Sequence, residues 1–91
     1  MHLILYSKPG CHLCEGLQEK LEQIQADCDS SCQFDLEVRD ITTREDWFNA
    51  YQYEVPVLHK QSDPNSPEEQ IPRPSPRISA KQLEQRLIQY L

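Results

Sequence analysis

The sequence predicts an α/β domain with the element order β-α-β-α-β-β-α and a four-stranded mixed sheet flanked by helices. Two apolar runs, residues 3–6 and 55–59, have the composition of buried strands. Residues 34–38 alternate between apolar and charged side chains, which is typical of a strand with one buried face. Residues 13–24 instead carry apolar side chains at three- and four-residue spacing, the period of a helix. A strand, a helix and a strand in this order indicate a parallel crossover connection.

Length and charge narrow the class of protein. The chain has 91 residues, enough for one small domain, so residues 1–91 are interpreted as a single unit. Its formal net charge of -6 argues against nucleic acid or an anionic membrane as the principal partner. The first residues lack the pattern of a secretory signal, and no apolar run is long enough to span a membrane. We therefore expect a cytoplasmic monomer whose thiols are kept reduced.

The first predicted strand leads through a Pro-Gly turn to two cysteines. Cys11 and Cys14 are three residues apart at the expected start of a helix, where the side chains share one face and their sulfurs can bond. The positive end of the helix dipole favours a thiolate there, and Lys8 and His12 are candidates for tuning the pKa of Cys11. A Cys-x-x-Cys pair at a helix start in a β-α-β context predicts a redox-active dithiol.

Two helices are expected before the third strand. The buried stripe of the first helix is formed by Leu13, Leu17, Leu21 and Ile24. A second helix is expected over residues 44–51, capped by Thr42 or Thr43. Its apolar side, which we interpret as part of the core, consists of Trp47, Phe48 and Tyr51.

The last third of the chain is rich in proline. Pro56 lies inside the third strand, and because proline lacks an N–H donor that position must be special. A fourth strand is limited to residues 69–73, and Pro72 confines it to an edge of the sheet. The last helix is expected to begin at Ser79, with Gln82 as its capping-box partner. Its predicted buried face consists of Leu83, Leu87, Ile88 and Leu91.

Two motifs and the element order carry a resemblance to a known family. Residues 5–14 read Leu-Tyr-Ser-Lys-Pro-Gly-Cys-His-Leu-Cys, and residues 55–58 read Val-Pro-Val-Leu. Over nearly the whole chain, the sequence resembles the small bacterial glutaredoxin-like family, which has a thioredoxin fold.

The resemblance implies roles for four residues. Cys11 matches the exposed nucleophile of the family, and Cys14 matches the resolving thiol. Pro56 matches the cis-proline that faces the dithiol. Val55 matches the residue whose backbone pairs with an extended substrate.

One region departs from the glutaredoxin pattern. Glutaredoxins hold glutathione with a Gly-Gly pair and a following acidic residue at a helix start. This chain has no glycine after Gly16, and residues 74–79 read Pro-Ser-Pro-Arg-Ile-Ser. Proline neither permits the same close approach nor supplies N–H donors, although Arg73 and Arg77 offer charged hydrogen bonds. We therefore expect weak binding of glutathione as a co-substrate, and no resident cofactor.

The predicted activity is thiol–disulfide exchange on a disulfide-containing protein or a small thiol substrate, with an unidentified reductase as electron source. Three alternatives stay open: glutathione-dependent reduction, binding of a metal or an iron–sulfur cluster through Cys11, and an interaction domain without catalysis. A zinc site of all four cysteines is disfavoured, because the helix would hold the two pairs about 20 Å apart. A disulfide between Cys28 and Cys32, in the loop after the first helix, is sterically possible and would be regulatory at most, but the two are interpreted first as exposed or half-buried thiols.

Overall fold

The structure is a computed structural model that describes residues 2–27, 33–63, 65–75 and 77–90. Its elements are β1 (His2–Ser7), α1 (His12–Ala26), β2 (Asp35–Asp40), a 3-10 turn (Ile41–Thr43), α2 (Glu45–Tyr51), β3 (Val57–Gln61), β4 (Glu69–Ile71) and α3 (Ala80–Tyr90). The order predicted from the sequence is confirmed, with the 3-10 turn added before α2. Among the described residues, no helix is long and apolar enough to cross a membrane.

The described residues form a sheet of four strands in the order β2-β1-β3-β4. β1 runs parallel to β2 and antiparallel to β3, and β4 runs antiparallel to β3, so the sheet is mixed as predicted. β1 has a neighbour on each side, and Leu3, Ile4 and Leu5 are completely buried. A central strand covered on both faces explains an apolar run without alternation.

The larger core lies between one face of the sheet and the helices α1 and α3. Its buried side chains are Leu3, Leu5, Leu17, Leu21, Ile24, Leu58, Ile71, Leu83 and Leu87. Burying such a side chain stabilises the fold by roughly 1.5–3 kcal/mol relative to leaving it exposed. This core therefore fixes α1, and with it the segment that carries the cysteines, against the centre of the sheet.

The stripe predicted for α1 needs one correction. Leu13 is 50% exposed, whereas Cys14 is completely buried and the other members of the stripe are buried as predicted. Positions 13 and 14 both lie three or four residues from Leu17, so periodicity alone does not choose between them. The direction from which α1 meets the sheet makes that choice.

The smaller core on the opposite face lies under α2. Trp47 and Tyr51 pack there against Tyr6, as predicted. Phe48 is 38% exposed, so its assignment to the core is wrong. Trp47 and Tyr51 are four residues apart and share a face, whereas Phe48 is rotated by about 100° from Trp47.

Two further apolar residues are exposed where burial is predicted. Val38 is 42% exposed on β2, which lies at the edge of the sheet. Ile88 is 41% exposed on α3, while Leu83 and Leu87 are buried as predicted. Leu91 lies outside the described residues.

The helix caps partly differ from the prediction. The expected capping box is confirmed at α3: the Gln82 N–H donates to Ser79 Oγ at 3.1 Å, and the Ser79 N–H donates to Gln82 Oε1 at 3.2 Å. At α2 the prediction of a threonine cap is wrong. Arg44 occupies the N-cap position, because Asp40 accepts from the Thr42 N–H and ends the preceding strand in the 3-10 turn.

The strands around Pro56 are shorter than predicted. β3 begins at Val57 and not at Val55, because the Val55 N–H is drawn away from the sheet and donates to the Tyr51 carbonyl at 3.1 Å. β4 ends at Ile71, directly before Pro72, and forms the edge of the sheet as predicted.

Candidate active site: a dithiol at the start of α1

A tight turn brings Cys11 from the end of β1 to the start of α1. Gly10 has a φ of 79°, a left-handed conformation that favours glycine. The Cys11 N–H donates to the Lys8 carbonyl at 3.3 Å and closes the turn. The Pro-Gly pair therefore positions the first cysteine at the N-cap of the helix.

Cys11 and Cys14 form a disulfide, with their Cα atoms 5.3 Å apart. Cys11 is half-buried, whereas Cys14 is completely buried. The Cys14 N–H donates to Cys11 Sγ at 3.2 Å, so the sulfur takes the place of a capping oxygen. In the reduced protein, this N–H and the helix dipole favour a thiolate at Cys11.

Lys8 and His12, the two candidate cations, make their polar contacts away from the cysteine sulfurs. Lys8 Nζ donates to the Gln52 carbonyl at 3.2 Å, which joins the cysteine turn to the end of α2. The His12 side chain is 95% exposed and lies 3.7 Å from the Glu15 carboxylate. Within the described part of the chain, no hydrogen bond links either side chain to a cysteine sulfur. A role of Lys8 or His12 in tuning Cys11 therefore stays a prediction.

The segment at Val55 and Pro56 lies near the dithiol. The Val55–Pro56 peptide bond is cis, the geometry that the family resemblance implies. Pro56 is buried and lines a cavity together with Leu13, the neighbour of Cys14. The Val55 carbonyl accepts a long hydrogen bond of 3.5 Å from Arg73, and its N–H is already bonded to Tyr51. Because the Val55 N–H is already bonded, the Val55 carbonyl is the backbone group that can accept a further hydrogen bond from a substrate.

The cavity beside the dithiol has a volume of about 370 Å³. Its apolar walls come from α1, Pro56 and the segment that connects β4 to α3. Sequence reasoning missed this cavity, because Leu13 was expected in the core and not on a rim. The lack of a side chain at Gly16, which also lines the cavity, was the available signal.

A polar network on the opposite face of the sheet was also missed. Arg39 Nη1 donates to the Tyr6 hydroxyl at 2.7 Å, and that hydroxyl donates to Glu68 Oε1 at 2.9 Å. Arg39 also pairs with Glu37, and His59 Nδ1 lies 3.2 Å from Glu68. No pattern within one segment signalled this network, because it depends on the register of β1 and β2, which places Tyr6 directly beside Arg39.

Burial and charge shift the pKa values of this network. Burial raises the pKa of Tyr6 to about 12, and the hydrogen bond to Glu68 acts in the same direction. Burial also acts to raise the pKa of Glu68, but the hydrogen bond from Tyr6 and the charge of Arg39 outweigh it and hold that pKa below its usual value. The network therefore favours a protonated phenol and an ionised carboxylate.

The structure tests the alternative of a metal site only for the residues that it describes. Among the described residues, no group of three or more His, Cys, Asp or Glu side chains is placed to hold a metal ion. The prediction for Cys28 and Cys32 lies outside the described residues.

The fold and the cysteine pair define the class of this molecule: a thioredoxin-fold protein with a Cys-x-x-Cys pair at the start of α1. Residues 2–88 match the sequence profile of the glutaredoxin-like domain (DUF836), and the chain belongs to that family. The family, the fold and the adjacent cysteines together indicate a redox function.

Solved structures of similar fold support this classification. A structural genomics target protein, XcR50 from X. campestris, is 29% identical, with a TM-score of 0.58 and 96% of each chain covered. Thioredoxin 1 from the thermophilic eubacterium Thermosipho africanus is 18% identical, with a TM-score of 0.62 over 99% of this chain and 93% of the other. A malarial protein shares 11% identity, with a TM-score of 0.63 over 99% and 96% of the two chains. No curated protein sequence matches this chain.

Proposed function

We propose that this protein is a dithiol–disulfide oxidoreductase that reduces disulfides in protein or small-molecule substrates. The observation that carries the proposal is the difference between the two cysteines. Cys11 is half-buried at the helix N-cap and accepts an N–H bond at its sulfur, while Cys14 is completely buried one turn along. An accessible sulfur with stabilised charge is suited to attack, and a buried neighbour is suited to resolve the product.

The reaction proceeds by two displacements at sulfur. The Cys11 thiolate attacks one sulfur of the substrate disulfide, forms a mixed disulfide and releases the other substrate sulfur as a thiolate, which takes up a proton. Cys14 then loses its proton and attacks Cys11 Sγ, which releases the second substrate thiol and forms the Cys11–Cys14 disulfide. Two electrons pass from the dithiol to the substrate. An external thiol or a reductase must supply two electrons to restore the dithiol.

The N-terminal end of α1 supports each step. The hydrogen bond from the Cys14 N–H stabilises negative charge on Cys11 Sγ before it attacks the substrate. The Cα separation of 5.3 Å lets the second displacement occur without a change of the helix. The spare capacity of the Val55 carbonyl offers one hydrogen bond to an extended substrate.

Trapping the mixed disulfide tests this proposal. The reduced protein is mixed with hydroxyethyl disulfide, and the loss of protein thiols and the protein mass are followed with time. We expect Cys11→Ser to abolish the reaction and Cys14→Ser to accumulate the mixed disulfide. A control variant that changes Cys28 and Cys32 to Ser retains the wild-type rate. A Cys11→Ser variant that reacts as fast as the wild type overturns the proposal.

A further inference from the structure

The cavity beside the dithiol shares Ser75 and Ile78 with a second cavity. The first, described above, has apolar walls that include Leu13, Pro56 and Ile78. Its volume of about 370 Å³ is within the range of ligand pockets, and it accommodates an apolar side chain with its adjoining backbone. Leu13 is 50% exposed at its edge, which is unfavourable in water without a partner.

The glycine at the edge of the first cavity serves no steric need of the fold. Gly16 lies inside α1, where glycine costs about 1 kcal/mol relative to alanine. A Cβ atom added at Gly16 meets nothing within 4 Å. The missing side chain therefore leaves space in the cavity, and this space is available to a ligand.

The second cavity is basic. Arg77 and Arg86 line it, together with Gln82 and the two shared residues. Lys20 and Arg73 line the first cavity. We call these four side chains, Lys20, Arg73, Arg77 and Arg86, the basic rim.

The basic rim is unusual for this chain. The sequence has 15 acidic residues and 9 Lys and Arg, yet four of those nine line these two cavities. Among the described residues, no Asp or Glu lines either cavity.

The arginines of the basic rim differ in their pairing from the other arginines among the described residues. Arg39, Arg44 and Lys60 each form an ion pair with a carboxylate. Within the described part of the chain, no ion pair joins Arg73, Arg77 or Arg86 to another residue. On an acidic protein, these three arginines without an ion pair among the described residues attract anionic partners and repel cationic ones.

Resting on the function proposed above, we infer that the substrate is a protein segment with an apolar residue next to its disulfide cysteine and with Asp or Glu residues close by in sequence. The apolar side chain enters the cavity between Leu13, Pro56 and Ile78. The carboxylates pair with the basic rim, while the cysteine reaches Cys11. Exchange then follows the two displacements already described, with no additional reactant.

Peptides with a symmetric sequence test this inference, because they present the same residues on both sides of the cysteine whichever way the peptide runs. The acidic probe has the sequence Glu-Glu-Leu-Cys-Leu-Glu-Glu, and a basic probe has Lys in place of each Glu. Both are acetylated and amidated at their ends, and both are linked by a disulfide to thionitrobenzoate. Attack on the peptide sulfur releases thionitrobenzoate, whose absorbance gives the rate. We expect the acidic probe to react about tenfold faster at low ionic strength, and the difference to shrink at high salt.

Charge reversals on α3 provide a matched pair of variants. Arg86 and Lys81 are both exposed on this helix, but Lys81 does not line either of the two cavities. Arg86→Glu and Lys81→Glu change the net charge equally. We expect Arg86→Glu to lower the ratio of the acidic-probe rate to the basic-probe rate about fivefold. We expect Lys81→Glu to change this ratio less than twofold. Circular dichroism confirms that each variant is folded.

A third variant tests the apolar cavity. Gly16→Leu fills the space beside Leu13 and replaces a poor helix former by a good one, so folding is retained. A second acidic probe carries Gly in place of each Leu. We expect the wild-type protein to favour the Leu probe by about tenfold, and Gly16→Leu to abolish that preference.

The outcomes separate this inference from the proposed function. A wild-type protein that reacts with neither hydroxyethyl disulfide nor any probe overturns the oxidoreductase itself. If hydroxyethyl disulfide reacts but the acidic and basic probes react at equal rates, only the inference fails. It also fails if Lys81→Glu is as harmful as Arg86→Glu, or if oxidised glutathione reacts faster than the acidic probe, which would indicate a site for a small anionic thiol.

Discussion

Arg39 Nη1 donates a hydrogen bond of 2.7 Å to the hydroxyl oxygen of Tyr6, across the parallel pair of β1 and β2. Tyr6 passes a hydrogen bond of 2.9 Å on to Glu68, so a phenol lies between a guanidinium and a carboxylate on the α2 side of the sheet. Its ring also packs on Trp47 and Tyr51. Because Tyr6 is two residues from Lys8, where the cysteine turn begins, this network anchors the strand that leads to the dithiol.

The first prediction concerns the hydroxyl of Tyr6. Tyr6→Phe keeps the ring contacts but removes two hydrogen bonds to charged groups. We expect the free energy of unfolding at pH 7 to fall by about 1–3 kcal/mol, measured by urea denaturation. Tyr53→Phe is the matched control, because Tyr53 is 91% exposed, and a change within about 0.5 kcal/mol is expected there. Equal effects of the two substitutions would show that the network adds nothing to stability.

The raised pKa of Tyr6 predicts that the stability of the fold depends on pH. The pKa of Tyr6 is raised from 10.0 to about 12 in the folded protein, so folding favours the protonated phenol. This contribution is complete below pH 10 and is lost as the pH rises towards 12. We therefore expect the stability advantage of the wild type over Tyr6→Phe to shrink across this interval, measured by urea denaturation at several pH values. An advantage that grows with pH would contradict the assignment.

The second prediction concerns the reactivity of the two thiols in the reduced protein. The Cys14 N–H and the helix dipole favour a thiolate at Cys11, whereas burial opposes one at Cys14. We expect the pKa of Cys11 to lie below the ordinary cysteine value of about 8.5, and the pKa of Cys14 to lie above it. Alkylation by iodoacetamide as a function of pH, with mass analysis of each site, measures both. A Cys11 that titrates at or above 8.5 refutes this account.

The third prediction is weak glutathione binding. The segment between β4 and α3 lacks the Gly-Gly pair of glutaredoxins and has prolines at positions 74 and 76, so close approach and N–H donors are lost. Arg73 and Arg77 compensate only in part. We expect a dissociation constant weaker than about 10 mM, which corresponds to roughly -2.7 kcal/mol.

An NMR titration of the reduced protein measures this binding directly. Saturable shifts of the Val55 and Ser79 amides at low-millimolar glutathione or below would show that the segment holds the tripeptide despite its prolines. The amide of Tyr53, which is exposed, serves as the reference for non-specific shifts.

The fourth prediction compares two leucines of α1. Leu21 is completely buried in the larger core, whereas Leu13 is 50% exposed beside the first cavity. We expect Leu21→Ala to lower the free energy of unfolding by about 2–5 kcal/mol and Leu13→Ala to lower it by less than about 0.5 kcal/mol. Thermal denaturation followed by circular dichroism provides the measurement. A comparable loss in both variants would place Leu13 in the core after all.

Local patterns were sufficient for the elements and for the dithiol. The apolar run of β1, the helical spacing of α1 and the Ser79–Gln82 capping box depend on neighbours within a few residues, so each is visible in the sequence. The turn at Gly10 and the pair Cys11 and Cys14 are equally local.

The tertiary structure decided what depends on packing between distant segments. Leu13 and Cys14 are equivalent by spacing, and the approach of α1 to the sheet buried the cysteine and exposed the leucine. Lys20, Arg73 and Arg86 of the basic rim come from three separate segments. A periodic pattern within one segment does not show that these residues line adjoining cavities. The sequence by itself determined the fold class and the reactive pair, because these follow from local spacing. Only the tertiary structure decided which surface surrounds that pair, because burial and charge at a surface are properties of the assembled elements.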